Sequence, residues 1–278
     1  MPRNLNVQVS STIWDALVAR SQSSGQSLNH LVQAALAEAL DIEHHSIFQV
    51  STSGAIVEGV FQGCVSVADL RRHGDVGLGT FEDLDGEMIM VDGHCYQARA
   101  DGSVVEAADT ELTPFATVVS FAADAVVDLA SVSSYADFTA QLDGLRSSDN
   151  GIVSYLATGT FGSIDLRAAC KAEDGMDLVE ATANQALFHF EGITGTLVGF
   201  WSPEYTRSIA ISGYHVHFIS ADRQHGGHVL GLSCDDLHVA INDVHDIHVA
   251  IPESQEFLEA DLAGDHSEAL EIAEHERH

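Results

Sequence analysis

Basic residues are scarce in this chain of 278 residues. It carries 11 Lys and Arg against 42 Asp and Glu, a formal net charge of -31, and Lys171 is its only lysine. Tight binding of nucleic acid or anionic membrane by the whole chain is excluded, because such binding needs a basic surface. A Schiff-base lysine is nearly excluded, since Lys171 lies in a polar Lys-Ala-Glu-Asp-Gly segment. The acidic, lysine-poor composition also suggests adaptation to a salt-rich cell interior.

Cysteine and long apolar runs are also limited. The four cysteines are far apart and form no Cys-x-x-Cys motif, which disfavours thiolate zinc sites and a disulfide framework. No apolar segment approaches the roughly 20 residues of a membrane helix, and the N-terminus has no signal-peptide core. We therefore expect a cytoplasmic protein without membrane segments. Histidine, with 16 copies, is the expected ligand of any metal.

Residues 1–43 form a pattern that differs from the rest. Leu5, Val7 and Val9 alternate with polar residues, which is typical of a strand with one apolar face. Two helices are predicted next, one capped by Ser11 or Thr12 and the other capped by Ser27. This strand-helix-helix order resembles ribbon-helix-helix modules, dimeric DNA binders that place paired strands in the major groove.

The resemblance implies two alternative roles for residues 1–43. In a DNA-binding role, the outward strand side chains Asn4, Asn6 and Gln8 would contact bases, and Asn and Gln suit adenine. Residues 1–48 carry two arginines against four acidic residues, however, so the usual positive charge is missing. Dimerisation without DNA binding is therefore the favoured interpretation, and a homodimer or higher homo-oligomer is expected.

Residues 46–278 are predicted to form a second, mainly β domain. Short alternating stretches bounded by Gly, Asp and Ser dominate it. The predicted strands are 48–50, 87–91, 116–121, 154–166, 186–190, 196–200, 215–219, 229–232 and 237–251. Helices are predicted at 66–72, at 134–145 and in part of 254–277. The expected fold class is α+β or mixed α/β, with two mixed β-sheets and a few helices.

The most specific local motif is a histidine set between residues 213 and 230. His215 and His217 are two residues apart, so on a strand they project from one face. A turn-rich segment ending in Gly-Gly would form a hairpin and return His228 beside His217. Three neutral imidazoles on one face are typical of an open divalent-metal site. His225 is an alternative third ligand, whereas the remaining histidines, including His45 and His245, are expected to have structural or solvent-exposed roles.

Two charged residues are weaker candidates when they are read alone. Glu87 follows an Asp-Gly turn and opens an apolar strand, so it is either a buried catalytic acid or an edge charge. Arg167 ends a predicted strand, and its guanidinium would bind either a substrate carboxylate or a structural acidic partner.

Taken together, these segments resemble the alpha-acetolactate decarboxylase family from about residue 46 to residue 274. The resemblance covers the motifs around Arg72–Phe81, Leu84–Met88, Gly159–Phe161, Gly195–Phe200 and Gly213–Leu230, in matching order and spacing. It implies two mixed sheets with helices and a metal site in the C-terminal half. The N-terminal module is a departure, because the family usually begins near residue 46.

The resemblance also implies the roles of individual residues. The zinc ligands of the family match His215, His217 and His228. Its catalytic glutamate matches Glu87, its active-site arginine matches Arg167, and a substrate-contacting threonine matches Thr80. A second glutamate, which folds back towards the metal from the C-terminus, matches Glu274, although other acidic residues lie nearby in the tail.

The implied reaction converts 2-acetolactate to acetoin and carbon dioxide. Zinc would act as a Lewis acid that holds the resulting enediolate. Arg167 would orient the substrate, and Glu87 would deliver a proton.

Two other functions are compatible with parts of the pattern. A cupin-like metal oxygenase or isomerase also uses His-x-His and a later histidine, but the acid and glycine spacing here does not fit that family. A metabolite-responsive transcription regulator would combine a ribbon-helix-helix reader with a sensing domain.

Overall fold

The protein is described here by a computed structural model that covers residues 5–25, 27–40, 45–173, 175–183 and 185–275. The α-helices are α1 Ser11–Ser24, α2 Leu28–Leu40, α3 Ser53–Val57, α4 Val67–His73, α5 Tyr135–Asp143, α6 Leu178–Thr182, α7 Gln255–Glu259 and α8 Ser267–His275. The strands are β1 Ser46–Val50, β2 Val65–Ser66, β3 Val76–Thr80, β4 Glu87–Val91, β5 His94–Ala98, β6 Val104–Glu106, β7 Leu112–Thr113, β8 Ala116–Val119, β9 Ala125–Val132, β10 Ile152–Ala168, β11 Ala186–Ser202, β12 Gly213–Ser220, β13 Gly226–Val244 and β14 Asp246–Ala250.

The predicted α+β class with two main sheets is confirmed. The first sheet has seven strands in the order β14-β1-β8-β3-β4-β5-β6 and is mixed, because β1 and β14 are parallel while its other pairs are antiparallel. The second has the order β10-β11-β12-β13-β9 and is antiparallel throughout its described pairings, which refines the expectation of two mixed sheets. Since β10 also pairs with β13, strands β10 to β13 close on themselves.

The two sheets pack against each other through a shared apolar core. Leu78 and Ile89 of the first sheet are buried in one cluster with Val198, Phe200 and Ile219 of the second. Burial of such side chains is the main stabilising contribution to a fold of this kind. Because β4 lies on this packed face, residues of the two sheets can meet at one site.

The N-terminal module differs from its prediction in one element. Helix α1 begins after Ser10, whose hydroxyl accepts a hydrogen bond from the Ile13 amide at 3.3 Å, one residue before the predicted cap. Ser27 caps α2 as predicted, through the His30 amide at 3.0 Å. The strand predicted around Val7 is absent from a single copy of this chain, so that prediction is wrong. Residues 5–10 pair with no described strand. Alternation alone does not form a strand, since its backbone groups need a neighbouring strand as partner.

The C-terminal tail is partly helical, as predicted. Leu270 and Ala273 of α8 are buried in one apolar cluster with Ile56 of α3 and Leu178 of α6, so the tail helix packs against these two helices. No described helix is long and apolar enough to cross a lipid bilayer.

Candidate metal centre and active site

Three histidines converge on the second sheet. His215 and His217 alternate on β12, and the hairpin to β13 places His228 directly opposite His217. The three ring centroids lie 4.9 to 5.3 Å apart, and one ligand nitrogen from each ring lies within 4.8 Å of the others. All three side chains are buried. This spacing allows the three nitrogens to bind one divalent ion.

The environment of His217 fixes which nitrogen faces the cluster. Its Nδ1 lies 2.8 Å from the Met88 carbonyl oxygen, to which it donates a proton, so Nε2 carries the lone pair. Burial lowers the pKa of His217 to about 3, while the Met88 bond opposes the shift and the charge of Arg167 adds to it. The imidazole is therefore neutral over the ordinary pH range, as a metal ligand must be.

Glu87 reaches the same cluster from the first sheet. It is buried at the start of β4, and its Oε1 accepts a hydrogen bond from the Ala169 amide at 3.1 Å. Its Oε2 lies 3.5 Å from His217 Nε2, an atom with no hydrogen-bond partner among the described residues. A carboxylate oxygen and an imidazole lone pair that face each other in a buried site favour a cation or a proton between them.

Arg167 lies beside the histidines on the neighbouring strand β10. Pairing between β10 and β13 places it opposite His228, and its side chain is only 4% exposed. Its Nη1 donates a hydrogen bond to the Gln185 side-chain oxygen at 2.9 Å. Arg167 thus brings a permanent positive charge to a buried position, which suits the recognition of a carboxylate.

Two glycines allow the close strand approach on which the site depends. Gly79 precedes Thr80 and has φ +159°, and a Cβ there would lie 2.3 Å from the Phe115 carbonyl oxygen. Gly227 precedes His228 and has φ +153°, and a Cβ there would lie 2.5 Å from the Arg167 carbonyl oxygen. A side chain at either position would push the strands apart.

A cavity joins these groups. Thr80, Glu87, Arg167, His215 and His228 line it, and His217 lies behind them with no exposed surface. The remaining wall is mainly apolar and was not predicted from the sequence; it includes Ile56, Leu84, Phe115, Ala169, Leu178 and Ile211. Apart from Leu84, which opens the Leu84–Met88 motif, these residues come from distant segments outside the motifs, so burial in the fold is the signal that identifies them.

Thr80 and Glu274 are less directly placed. Thr80 stands opposite Glu87 in the β3–β4 pair, and its hydroxyl donates to the Gly86 carbonyl at 2.8 Å. The backbone of Glu274 lies in α8, but its side chain falls outside the described residues. Its neighbour Ala273 belongs to the apolar cluster that includes cavity residues Ile56 and Phe115, so this helix borders the cavity.

Other sequence candidates lie elsewhere. The ring of His225 packs beside Phe190 with centroids 4.5 Å apart, and His225 is not part of the three-histidine cluster. Lys171 binds Asp83 at 3.1 Å, and this contact raises the pKa of its exposed amine, the reverse of what a Schiff-base lysine requires. Asn6 and Gln8 are exposed, whereas Asn4 lies outside the described residues.

The sequence model described as alpha-acetolactate decarboxylase matches residues 47–264 of this chain. An alpha-acetolactate decarboxylase of Methanosarcina mazei is 36% identical over 253 residues, which are 91% of this chain and 86% of the relative. One from Methylococcus capsulatus is 37% identical over 246 residues, covering 88% of this chain and 95% of the relative.

Solved structures agree with this similarity. The crystal structure of alpha-acetolactate decarboxylase from Bacillus subtilis superposes with a TM-score of 0.81 at 31% identity. The match covers 83% of this chain and 100% of that chain. The Methanosarcina mazei match, at 91% of this chain, must begin by about residue 26 and therefore includes α2.

Proposed function

Because this chain belongs to the alpha-acetolactate decarboxylase family, we propose that it is a carboxy-lyase that converts 2-acetolactate to acetoin and carbon dioxide. The observation that carries the proposal is the meeting of Glu87, Arg167 and three histidines at one cavity with an apolar wall. In this cavity, Arg167 can bind a carboxylate, Glu87 can transfer a proton, and the three histidines can hold a metal ion. Its apolar wall suits the two methyl groups of the substrate.

We propose zinc as the metal of this site, held by His215, His217 and His228. Three imidazoles beside a cavity fit a catalytic zinc site, and the buried Nε2 of His217 faces a carboxylate oxygen at 3.5 Å. The contact between His217 Nδ1 and the Met88 carbonyl is the kind of outer interaction that orients a metal-binding histidine. When bound, zinc would supply a Lewis acid for the electrons that carbon dioxide leaves behind.

The residues of the chain would divide the remaining work. Arg167 would bind and orient the substrate carboxylate with charge-assisted hydrogen bonds. Once that carboxylate leaves as carbon dioxide, the substrate is an enediolate that needs a proton on carbon. Glu87 would deliver this proton from Oε2, because Oε1 accepts the Ala169 amide and Oε2 faces the histidines. A fixed donor on one side of the enediolate would give acetoin of one handedness.

Thr80 and Glu274 are proposed to complete the pocket. Thr80 lines the cavity, and its bond to the Gly86 carbonyl holds it opposite Glu87. Glu274 lies on a helix that packs against the cavity wall, so we propose that it approaches the metal or shapes the pocket. These two assignments follow the motif positions of the family.

The proposed activity has a direct test. Purified protein incubated with racemic 2-acetolactate is expected to form acetoin, to stop after treatment with a chelator, and to regain activity when zinc is added. Acetoin can be followed by a colour reaction, and the same chelator without enzyme serves as the control. A folded, zinc-loaded protein that forms no acetoin would overturn the proposed activity and would favour the sensing role.

We propose residues 1–43 as a module for self-association that accompanies the catalytic domain, residues 46–278. Its supporting feature is an apolar surface on the described part of the module. Eight large side chains there are at least 40% exposed: Leu5, Val7, Val9, Ile13, Trp14, Val32, Leu36 and Leu40. A second copy of this chain would cover that surface and could pair with residues 5–10 to form the strand that a single copy lacks.

DNA binding by the module is the alternative proposal, and the charges disfavour it. Asn6 and Gln8 are exposed, but residues 1–48 hold two arginines against four acidic residues. A DNA-binding surface normally depends on phosphate contacts by Lys and Arg. Self-association therefore has the better physical support, with a homodimer as the simplest assembly.

A charge on the apolar surface should weaken the assembly. Val32 and Leu36 are one turn apart on α2 and are 40% and 42% exposed, so the double variant Val32→Glu, Leu36→Glu should fold but associate poorly. Sedimentation velocity of the full chain at high salt is expected to show a smaller particle than the wild type. Leu258→Glu, at a 69% exposed position on α7, is the control and should sediment like the wild type. An unchanged particle size in the double variant would contradict the proposal.

A further inference from the structure

A second group of three histidines lies where the N-terminal helices meet the β domain. It consists of His30, His45 and His245, and we refer to it as the junction cluster. His30 is on α2, whereas His45 and His245 directly precede β1 and β14. Because these strands are parallel partners, the residues before them lie side by side, and the His245 amide donates to the His45 carbonyl at 2.8 Å.

The junction cluster has nearly the same geometry as the candidate catalytic centre. Its ring centroids are 4.3, 5.2 and 5.7 Å apart, compared with 4.9 to 5.3 Å for the catalytic histidines. One ligand nitrogen from each ring lies within 4.8 Å of the others in both groups. His30 and His45 are buried and His245 is exposed, so an ion has access from solvent.

The orientation of His45 repeats that of His217. Its Nδ1 lies 2.6 Å from the Asp243 carbonyl oxygen, to which it donates a proton. This contact selects the tautomer in which Nε2 carries the lone pair, as the Met88 carbonyl does for His217. A backbone carbonyl behind one imidazole nitrogen is the usual arrangement when the other nitrogen binds a metal. His45 holds this position with φ +54°, an uncommon conformation for a residue with a side chain.

The surrounding charges favour a cation. The Asp124 carboxylate lies 3.6 Å from His45 Nδ1, and it also accepts a hydrogen bond from the Asp243 amide at 3.0 Å. The carboxyl group of Asp243 also interacts electrostatically with His30, His45 and His245. Negative charge beside three imidazoles lowers the electrostatic cost of placing a divalent ion among them.

We propose that His30, His45 and His245 form a second metal site, which takes a divalent transition metal ion of the kind that imidazole prefers, such as zinc. The site shares no residue with the proposed catalytic centre. It would join α2 to the β1–β14 edge of the first sheet, and it would therefore fix the N-terminal module on the catalytic domain. An ion bound by residues from both parts stabilises the docked arrangement in proportion to its occupancy.

Metal counting with zinc alone as the probe tests the proposal. After zinc loading and removal of free metal, the full-length wild type is expected to hold about two ions per chain. His30→Gln and His245→Gln should each hold about one, because either substitution removes one of three ligands. The matched control is His238→Gln, which changes an exposed histidine paired with Asp128 at 2.7 Å and should leave the count unchanged.

The catalytic site can be separated from the junction cluster in the same experiment. A His228→Gln variant should retain about one ion, and the double variant His228→Gln, His245→Gln should retain about none. Circular dichroism checks that each variant is folded. If the wild type holds one ion and His228→Gln holds none, the junction site is refuted while the proposed catalytic centre stands.

Hydrogen exchange tests whether the ion links α2 to the β domain, which metal counting does not measure. Zinc should slow exchange of the α2 amides in the wild type, because the ion ties His30 to the β domain. It should have no such effect in His245→Gln, whose α2 sequence is intact. Equal exchange of α2 with and without zinc in the wild type would contradict the proposed link between the module and the domain.

Discussion

Replacement of Glu87 by glutamine is expected to reduce acetoin formation by about 10²- to 10⁴-fold, the usual contribution of a general acid. Glutamine has the same shape, and its carbonyl oxygen can still accept the Ala169 amide that now binds Glu87 Oε1 at 3.1 Å. It cannot release a proton to carbon. The effect should therefore appear in kcat at saturating 2-acetolactate, while KM changes little.

Two further observations would separate proton delivery from a structural role of Glu87. Zinc should stay bound in Glu87→Gln, since the three histidines are intact, and the residual acetoin should lose its single handedness because solvent can protonate either face. Glu106→Gln is the control, at a position on β6 that is 52% exposed. Near-normal turnover of Glu87→Gln would show that Glu87 is not the proton donor.

The sequence predicted those parts of the site that depend on local geometry. His215 and His217 are two residues apart, and the turn at residues 221–225 returns the chain so that His228, eleven residues after His217, lies opposite it; a single hairpin therefore determines the histidine cluster. Its side chains could be placed from strand periodicity alone. Ser27, the cap of α2, was predictable for the same reason, since a cap acts within three residues.

The parts that depend on distant pairings could not be predicted from residue patterns. Glu87 and His217 are 130 positions apart and meet only because β4 packs on the closed set of strands β10 to β13. The resemblance to the family predicted that both residues belong to one site. The residue pattern alone left two interpretations of Glu87 open, a catalytic acid or a charge at a strand edge. The junction cluster was missed entirely, because His45 and His245 become neighbours through the parallel pairing of β1 with β14, 200 residues apart.

Charged residues led to a wrong prediction of where strand β13 ends. The prediction ended one strand at residue 232 and began the next at residue 237, since Asp235 and Asp236 resemble a turn. In the structure β13 runs through both, and their side chains point to solvent. A long strand with an exposed stretch tolerates such residues because only its inward positions must be apolar. The opposite error occurred at residues 5–10, where clear alternation produced no strand without a partner.

Loss of His228 is expected to abolish activity at zinc concentrations that saturate the wild type. This imidazole faces His217 across the β12–β13 pair and Arg167 across the β13–β10 pair, so it lies at the centre of the site. In His228→Gln, the chelator-treated enzyme should need about 100-fold more zinc than the wild type to regain activity, or regain none, since loss of even an outer-shell partner weakens binding 10- to 100-fold. A zinc titration of acetoin formation measures this directly and does not depend on ions bound elsewhere.

His225→Gln is the matched control, because the two histidines are three residues apart on the same hairpin. The ring of His225 packs on Phe190 outside the cluster, so its variant should respond to zinc as the wild type does. If His225→Gln instead lost the response while His228→Gln kept it, the third ligand would be His225 and the strand register would differ from the one described. The pair of variants thus tests the hairpin geometry and the metal site together, since the pairing of His217 with His228 excludes His225 from the same face.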